Sequence, residues 1–166
     1  MADVRVTFRH FEDVGGPENG GKSGGNAGDT AGCDAAGLNR IRDVLAVGVL
    51  DARARIALAE NRVEEALGLL REAMAKEDVL AYSEPADWFF PTRHLLGAVL
   101  VKAGRAADAE PVYRDDLRRN PNNGWALFGL AQSLKMVGRG VDATALQQQF
   151  DIAWKNADVT LVTSAF

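Results

Sequence analysis

The chain has 166 residues, of which 47% are hydrophobic and 25% charged, and its formal net charge is -4. This length and composition suit one ordinary globular domain. The negative charge argues against a general nucleic-acid binder, because neutralising phosphates requires a basic face. No stretch approaches the roughly 20 apolar residues of a membrane helix. Cys33 is the single cysteine, which excludes an intrachain disulfide and a structural zinc site made of cysteines.

Charged side chains recur through residues 1–14. A secretory signal needs an uninterrupted apolar core of about 7 to 15 residues, which this segment lacks. We therefore expect a cytoplasmic protein. This expectation would no longer follow if the natural chain begins further upstream.

Residues 1–37 are predicted to be a separate, disordered segment. Nine of the 17 glycines fall within residues 15–38, where there is too little apolar surface to offset the entropy lost on ordering. Val4 to Phe8 alternates like a strand, but no second strand pattern follows for it to pair with. The folded domain is expected to cover residues 38–166.

Helical spacing of apolar residues begins at Leu38 and continues to Glu60. It predicts one long helix, or two helices with a break near Gly48. A second helix is predicted over residues 63–76 by the same spacing.

The third and fourth helices are predicted from prolines and glycines. The third should begin between Asp87 and Phe90, with Asp87 as its N-cap, and should end at Gly104. The fourth should cover about residues 106–119. Pro111 lies inside it, and an interior proline costs about 3 kcal/mol, so we expect a kink or a later start.

The last two helices are predicted over residues 123–138 and 142–155, the first of them beginning at Asn123. Residues 158–166 look extended. Three of their apolar residues are expected to dock on the last helix pair: Val159, Leu161 and Val162.

Two glycine–arginine pairs, Gly104-Arg105 and Gly138-Arg139, lie 34 positions apart, each between an apolar stretch and an alanine-rich one. This spacing is the length of a tetratricopeptide repeat, a hairpin of two short helices. One such hairpin cannot bury its apolar face alone, so neighbours stack on it and leave a concave surface suited to a partner.

Small and large residues recur at matching positions of three units. The middle unit has Leu96-Gly97, Ala109, Tyr113 and Pro121. The last unit has Leu130-Ala131, Leu134, Ala143, Phe150 and Ala153. The first unit has Ala54, Asn61-Arg62, Ala66, Leu70 and Ala73. The last unit is longer between Arg139 and Phe150 than the middle unit is between Arg105 and Tyr113.

These positions resemble the tetratricopeptide-repeat (TPR) family. Residues 81–93 and 113–130 are similar, more specifically, to the C-terminal end of a group of bacterial TPR proteins without an established biochemical role. The resemblance covers residues 40–166 and implies an all-α stack of about three antiparallel helical hairpins. It also implies further repeats upstream, which would make this chain a C-terminal fragment behind an unrelated N-terminal stretch.

The resemblance further implies a groove along the first helix of each unit, where TPR modules hold partner peptides. The implied groove residues are Arg55, His94, Lys102, Trp125, Phe128, Gln132 and Lys135, with Asp51, Ala98 and Val101 beside them. Their mildly positive, hydrogen-bonding character suits a partner with carboxylates, such as a peptide C-terminus or an acidic segment. The alternative is an ordinary solvated helix face.

Three other features of the sequence resemble functional sites. Residues 16–23 match the phosphate-binding G-x-x-x-x-G-K-[ST] pattern, but glycine-rich sequence follows where a helix is needed, so we expect no nucleotide site. His94 has no recognisable nucleophile or metal-ligand partner, so we expect no catalytic residue, metal or cofactor. An aromatic set could form a ligand pocket, but we favour packing between units. Its members are Trp88, Phe89, Phe90, Trp125 and Phe128.

The sequence thus predicts a noncatalytic scaffold that binds a protein or peptide in a helical-repeat groove. The alternative is a structural capping end of a longer solenoid with no ligand of its own. A third class, an enzyme that uses His94 or the lysine of residues 16–23, has no positive support. We expect neither nucleic acid nor membrane as a partner, and the oligomeric state does not follow from the sequence.

Overall fold

In the computed structural model of the chain, the described residues are 35, 36 and 39–165. They form six helices: α1 Ile41–Ala59, α2 Val63–Glu77, α3 Thr92–Lys102, α4 Ala106–Arg119, α5 Gly124–Met136 and α6 Gly140–Trp154. Two short strands, β1 Ala35–Ala36 and β2 Asn39–Arg40, pair antiparallel ahead of them. Each helix packs on the next, and α3 also contacts α5. No helix in the described ranges is long and apolar enough to cross a membrane.

Most of the N-terminal expectations lie outside the described residues. This holds for the disordered segment apart from residues 35 and 36, for the strand pattern at Val4 to Phe8, and for the phosphate-loop pattern at residues 16–23. Cys33 also lies outside them.

The first hairpin is formed by α1 and α2. Of the two predicted arrangements for residues 38–60, the single long helix is the one observed, and it continues through Gly48. Gly48 is where the Trp88 ring rests on α1, with Cζ3 only 3.1 Å from the place a Cβ would occupy. The bounds of α2 agree with the prediction to within one residue.

The start of α3 differs from the prediction. The helix begins at Thr92, and Asp87 accepts a hydrogen bond from Asn39 Nδ2 at 2.6 Å instead of capping it. Pro91 explains the later start, because the residue before a proline is disfavoured in helical conformation. Glu77 of α2 supplies the cap: its Oε2 accepts from the Thr92 amide at 2.9 Å. Burial raises the pKa of Glu77, and the hydrogen bonds from Thr92 oppose that rise.

The remaining helices follow the prediction more closely. α4 begins at Ala106 and continues through Pro111 without a later start. Because Pro111 has no amide hydrogen, the Ala107 carbonyl lacks its helical donor. Both residues are exposed, so water can hydrate that carbonyl. α5 begins at Gly124, one residue after the predicted start, and Asn123 is its N-cap, with a side chain that accepts from the Trp125 amide at 3.1 Å. α6 begins at Gly140, slightly earlier than expected.

All three hairpins turn in the same way. The second residue after each first helix has positive φ: Asn61 (59°), Gly104 (75°) and Gly138 (80°). The arginine that follows donates its amide to a carbonyl five residues earlier: Arg62 to Ala57, Arg105 to Leu100 and Arg139 to Leu134, at 2.7, 2.8 and 2.8 Å. These are Schellman-type helix ends, which favour glycine or asparagine at the turn. The glycine–arginine pairs are therefore backbone turns with a defined geometry.

The turn arginines also connect neighbouring hairpins. Arg105 contacts Asp108 at 2.7 Å and reaches Glu64 of the preceding hairpin at 3.2 Å. Arg139 repeats the arrangement with Asp142 at 2.6 Å and Glu110 at 2.8 Å. Hydrogen bonds from Arg114 and then Arg139 hold the pKa of Glu110 below its ordinary value.

A buried arginine joins α2, α3 and α4. The Arg93 side chain is 5% exposed and lies 2.6 Å from Asp78 and 2.7 Å from Asp115. Burial opposes the charge on Asp115, but hydrogen bonds from Arg118 and Arg93 outweigh it and lower the pKa of that carboxyl. The first and second hairpins are thus held together by charge as well as by apolar packing.

Tyr113 is the largest side chain at the centre of the core. It comes from α4 and is 0% exposed. A Cβ built on Gly97 of α3 would lie 2.3 Å from the ring's Cζ, and so would one built on Gly129 of α5. The end of the ring therefore lies between α3 and α5, and only glycine at these two positions leaves room for it.

Candidate functional site

The seven groove residues predicted from the resemblance lie on the first helices of the three hairpins. We call the surface that they define on α1, α3 and α5 the first-helix face. Its exposed members are Arg55, Lys102, Gln132 and Lys135, while Trp125 and Phe128 are half-buried and His94 is buried. Of the three residues expected beside them, Asp51 and Val101 are buried and Ala98 is half-buried.

Arg55 is held in place on α1. Its Nε donates to Asp51 Oδ2 at 2.7 Å, and its guanidinium carbon lies 5.2 Å from the centre of the Phe90 ring. A cation over an aromatic face is attracted by the ring's quadrupole. The other Asp51 oxygen, Oδ1, is buried and has no hydrogen-bond partner among the described residues. The α1 part of the face therefore presents an oriented guanidinium beside a partly unsatisfied carboxylate.

Lys102, Gln132 and Lys135 form the open polar part of the first-helix face. Lys102 lies in the last turn of α3 and Lys135 in the last turn of α5. Within residues 39–165, none of the three side chains makes a hydrogen bond or ion pair, whereas Arg93, Arg105 and Arg139 are all paired. The two ammonium groups are available to a carboxylate.

The aromatic residues of α5 pack against α6. Trp125 meets Trp154 edge to face at 5.5 Å between ring centres, and Phe128 lies 5.6 Å from Phe150. Gly124 admits the Trp154 ring, since a Cβ there would lie 2.3 Å from it. We predicted packing between units, whereas these contacts join the two helices of one hairpin.

The other aromatic residues of that set lie in the connection before α3. Trp88 packs on α1 as described above, and Phe89 is 81% exposed. Ring contacts join Trp88 to Phe89 and Phe89 to Phe90, each at 6.3 Å. Burial here is uneven, with Trp88 half-buried and Phe89 open to solvent.

His94 is buried in a polar network instead of facing solvent. Its ring is 6% exposed, and Nε2 lies 2.9 Å from Asn123 Nδ2 and 3.4 Å from Asp116 Oδ2. Asn123 Nδ2 also donates to Asp116 Oδ2 at 2.7 Å, and Asn120 donates to Oδ1 at 3.2 Å. The network fixes α3 against the α4–α5 turn. Sequence analysis missed these partners because they lie more than twenty residues away with no local pattern.

The segment after α6, residues 158–165, is called the tail. Of its three apolar residues predicted to dock, Leu161 is half-buried, but Val159 is 57% and Val162 84% exposed. Ser164 and Ala165 are the buried residues, at 1% and 4% exposure. The tail therefore docks mainly through small side chains near its end.

Ser164 brings the tail to the second hairpin. Its hydroxyl is hydrogen-bonded to the Tyr113 hydroxyl and lies 3.4 Å from the His94 carbonyl oxygen. Burial raises the pKa of Tyr113 to about 12, and the hydrogen bond with Ser164 opposes that rise. Trp154 Nε1 donates to the Val159 carbonyl at 2.7 Å and fixes the start of the tail.

Two concave regions lie away from the exposed lysines. A cavity of about 130 Å³ sits under the connection before α3 and is lined by Asn39, Glu77, Ser83, Asp87 and Trp88, among others. A shallow depression of about 290 Å³ lies over Leu117, Leu130 and Leu146, with Arg114 and Arg118 at its edge. Neither includes a residue of the first-helix face.

Comparison with known proteins gives no family assignment, since neither a family model nor a curated protein matches the chain.

Proposed function

We propose that this chain is a TPR-like interaction module that binds a protein or peptide segment with carboxylates along the first-helix face. The binding is noncovalent and needs no metal or cofactor. The proposal includes the α-solenoid arrangement, in which the first helices line the concave side.

The observation that carries the proposal is the pair of unpartnered lysines. Lys102 and Lys135 are exposed, and they end two helices that contact each other. Most basic groups nearby are neutralised within the chain, as Arg93 and Arg105 are. An acidic partner would gain charge-assisted hydrogen bonds here without displacing an existing ion pair.

The repeated turn geometry supports the repeat part of the proposal. Asn61, Gly104 and Gly138 share a left-handed conformation, and each is followed by an arginine in the same backbone hydrogen bond. Tyr113 lies where an aromatic side chain of a second helix would fill the layer between units.

The test is binding of a fluorescent acidic peptide with a free C-terminal carboxylate, measured by anisotropy at low salt. Lys102→Glu with Lys135→Glu should weaken binding at least about tenfold, the effect of about 1.4 kcal/mol. Lys76→Glu with Lys155→Glu is the matched control, because it replaces two exposed lysines outside the first-helix face and changes the net charge by the same amount. Unchanged binding in the double variant, with an unchanged helical circular dichroism spectrum, would refute the proposal.

A second candidate is the capping end of a longer solenoid. It is favoured by α6, where Ala143 is the one buried residue and residues 147–149, all glutamine, are exposed, although Val141 and Ile152 of the same helix are exposed too. Terminal repeats need such a polar outer face. Removing residues 158–166 should then lower the melting temperature and increase binding of a hydrophobic dye. No change in either measurement would count against this role.

A further inference from the structure

We infer that the tail is an internal ligand of the first-helix face, and that a partner segment must displace it to occupy the α3 part of that face. The displacing segment would carry a hydroxyl residue followed by a small apolar residue, as Ser164 and Ala165 do. The inference rests on the proposed function, because it takes the first-helix face to be where partners bind.

The position of the tail follows from Tyr113. This side chain starts on α4, passes between Gly97 of α3 and Gly129 of α5, and ends in hydrogen-bonding contact with Ser164. Ser164 therefore lies across the α3–α5 pair from α4. That side carries the first-helix face, and the approach of Ser164 to the His94 carbonyl places the tail over the first turn of α3.

The contact is selective for side-chain size and chemistry. The Tyr113 hydroxyl is buried between two helices, so its hydrogen-bond partner must come from whatever lies on this face. The neighbouring residue must be small, because Ala165 is 4% exposed and packs against the core. A serine or threonine followed by alanine or glycine meets both requirements.

The rest of the tail is weakly held. Val159, Val162 and Thr163 are exposed, and the contacts beyond Ser164 and Ala165 are those of the half-buried Leu161 and the hydrogen bond from Trp154 to Val159. Few buried contacts therefore need to break before the tail leaves, which is typical of segments that open at low free-energy cost. A short connection to α6 keeps the tail at high effective concentration, so it competes with a free segment of like sequence.

The experiment measures binding of a labelled synthetic peptide of residues 158–166 to the full chain. In one variant, Ser164→Asp with Ala165→Asp places charges where burial does not tolerate them and releases the tail. Val162→Asp is the matched control, because it adds a charge to an exposed position of the same tail. We expect the released variant to bind the peptide about tenfold more tightly than the parent and the control. Equal binding by all three chains would overturn the inference.

Hydrogen exchange on the unmodified chain gives a second readout that does not depend on a variant folding. Excess peptide should accelerate amide exchange in residues 158–165, and exchange that stays unchanged at saturation would also overturn the inference. The acidic-peptide assay separates the two proposals. If acidic-peptide binding depends on the lysines but the tail peptide never binds, only the internal-ligand inference fails. If the tail peptide binds and the acidic peptide does not, only the proposed function fails.

Discussion

Replacing Gly97 by alanine should destabilise the fold, even though alanine favours helices. The new Cβ would lie 2.3 Å from Cζ and 2.5 Å from Cε1 of Tyr113, whereas nonbonded carbons rest at about 3.5 to 4.0 Å. The ring cannot retreat toward α5, because Gly129 is equally close on that side. Either α3 or the ring must therefore move by about an ångström.

The magnitude follows from two opposing effects. Overpacking a core costs about 1 to 3 kcal/mol, and a fully buried ring confined on both sides belongs at the upper end. Alanine gains about 1 kcal/mol over glycine within a helix. The free energy of unfolding should therefore fall by about 2 kcal/mol.

Urea unfolding of the full chain, followed by far-ultraviolet circular dichroism, measures this change. Gly68→Ala on α2 is the matched control: nothing lies within 4 Å of its Cβ position, so it should gain up to about 1 kcal/mol. Combining Gly97→Ala with Tyr113→Leu should cost less than the sum of the two single changes, since the clash is gone. If Gly97→Ala is as stabilising as Gly68→Ala, the placement of the Tyr113 ring is refuted.

Four further predictions follow from the contacts. Gly104→Ala should lower the free energy of unfolding by about 1 kcal/mol, because a side chain at φ 75° is strained; urea unfolding that shows no loss would contradict this. Arg93→Met should lower the free energy of unfolding by about 2 to 3 kcal/mol in the same assay. Arg93→Lys should not restore the stability, since one ammonium cannot reproduce the contacts with both carboxylates. Full stability in the lysine variant would refute the paired geometry. The pKa of Glu77 is raised from 4.5, so its contribution to stability is present below pH 4.5 and lost as pH rises through the raised value. Glu77→Gln should remove this fall in the free energy of unfolding. Identical pH dependence of unfolding in the parent and the variant would count against the prediction. With its pKa raised from 10 to about 12, Tyr113 ionises last in an absorbance titration, and stability falls above pH 10 as the unfolded chain ionises first; Tyr113→Phe should abolish that loss.

The helices were predictable because their signals are local. Apolar spacing located α2 to within one residue, and positive φ at Gly104 and Gly138 explains why glycine marks the turns. The start of α5 was predicted at Asn123, one residue before the observed start. Each of these depends on neighbours within one turn.

The errors arose where distant residues decide. Asp87 was expected to cap α3, but the cap comes from Glu77, fifteen residues before Thr92. Val159 and Val162 were expected to dock but are mainly exposed, and the buried residue is Ser164, whose partner Tyr113 is distant in sequence. Neither outcome has a signal in the adjacent sequence.

The binding role of the first-helix face stays a prediction, and the structure bears on the exposure of its residues. Lys102 and Lys135 are exposed, as a binding role requires, but His94 is not. Its burial depends on Asp116 and Asn123, whose approach is set by the packing of α3, α4 and α5.

The Asn123 network bears on how the molecule unfolds. Stacked hairpins ordinarily fray from an end, one unit at a time. Here the side chain that caps α5 also donates to Asp116, which is 1% exposed, and contacts His94 on α3. Unwinding the start of α5 would leave that buried carboxylate short of a donor, at a cost of about 1 to 3 kcal/mol. The middle and last hairpins should therefore open as one cooperative block.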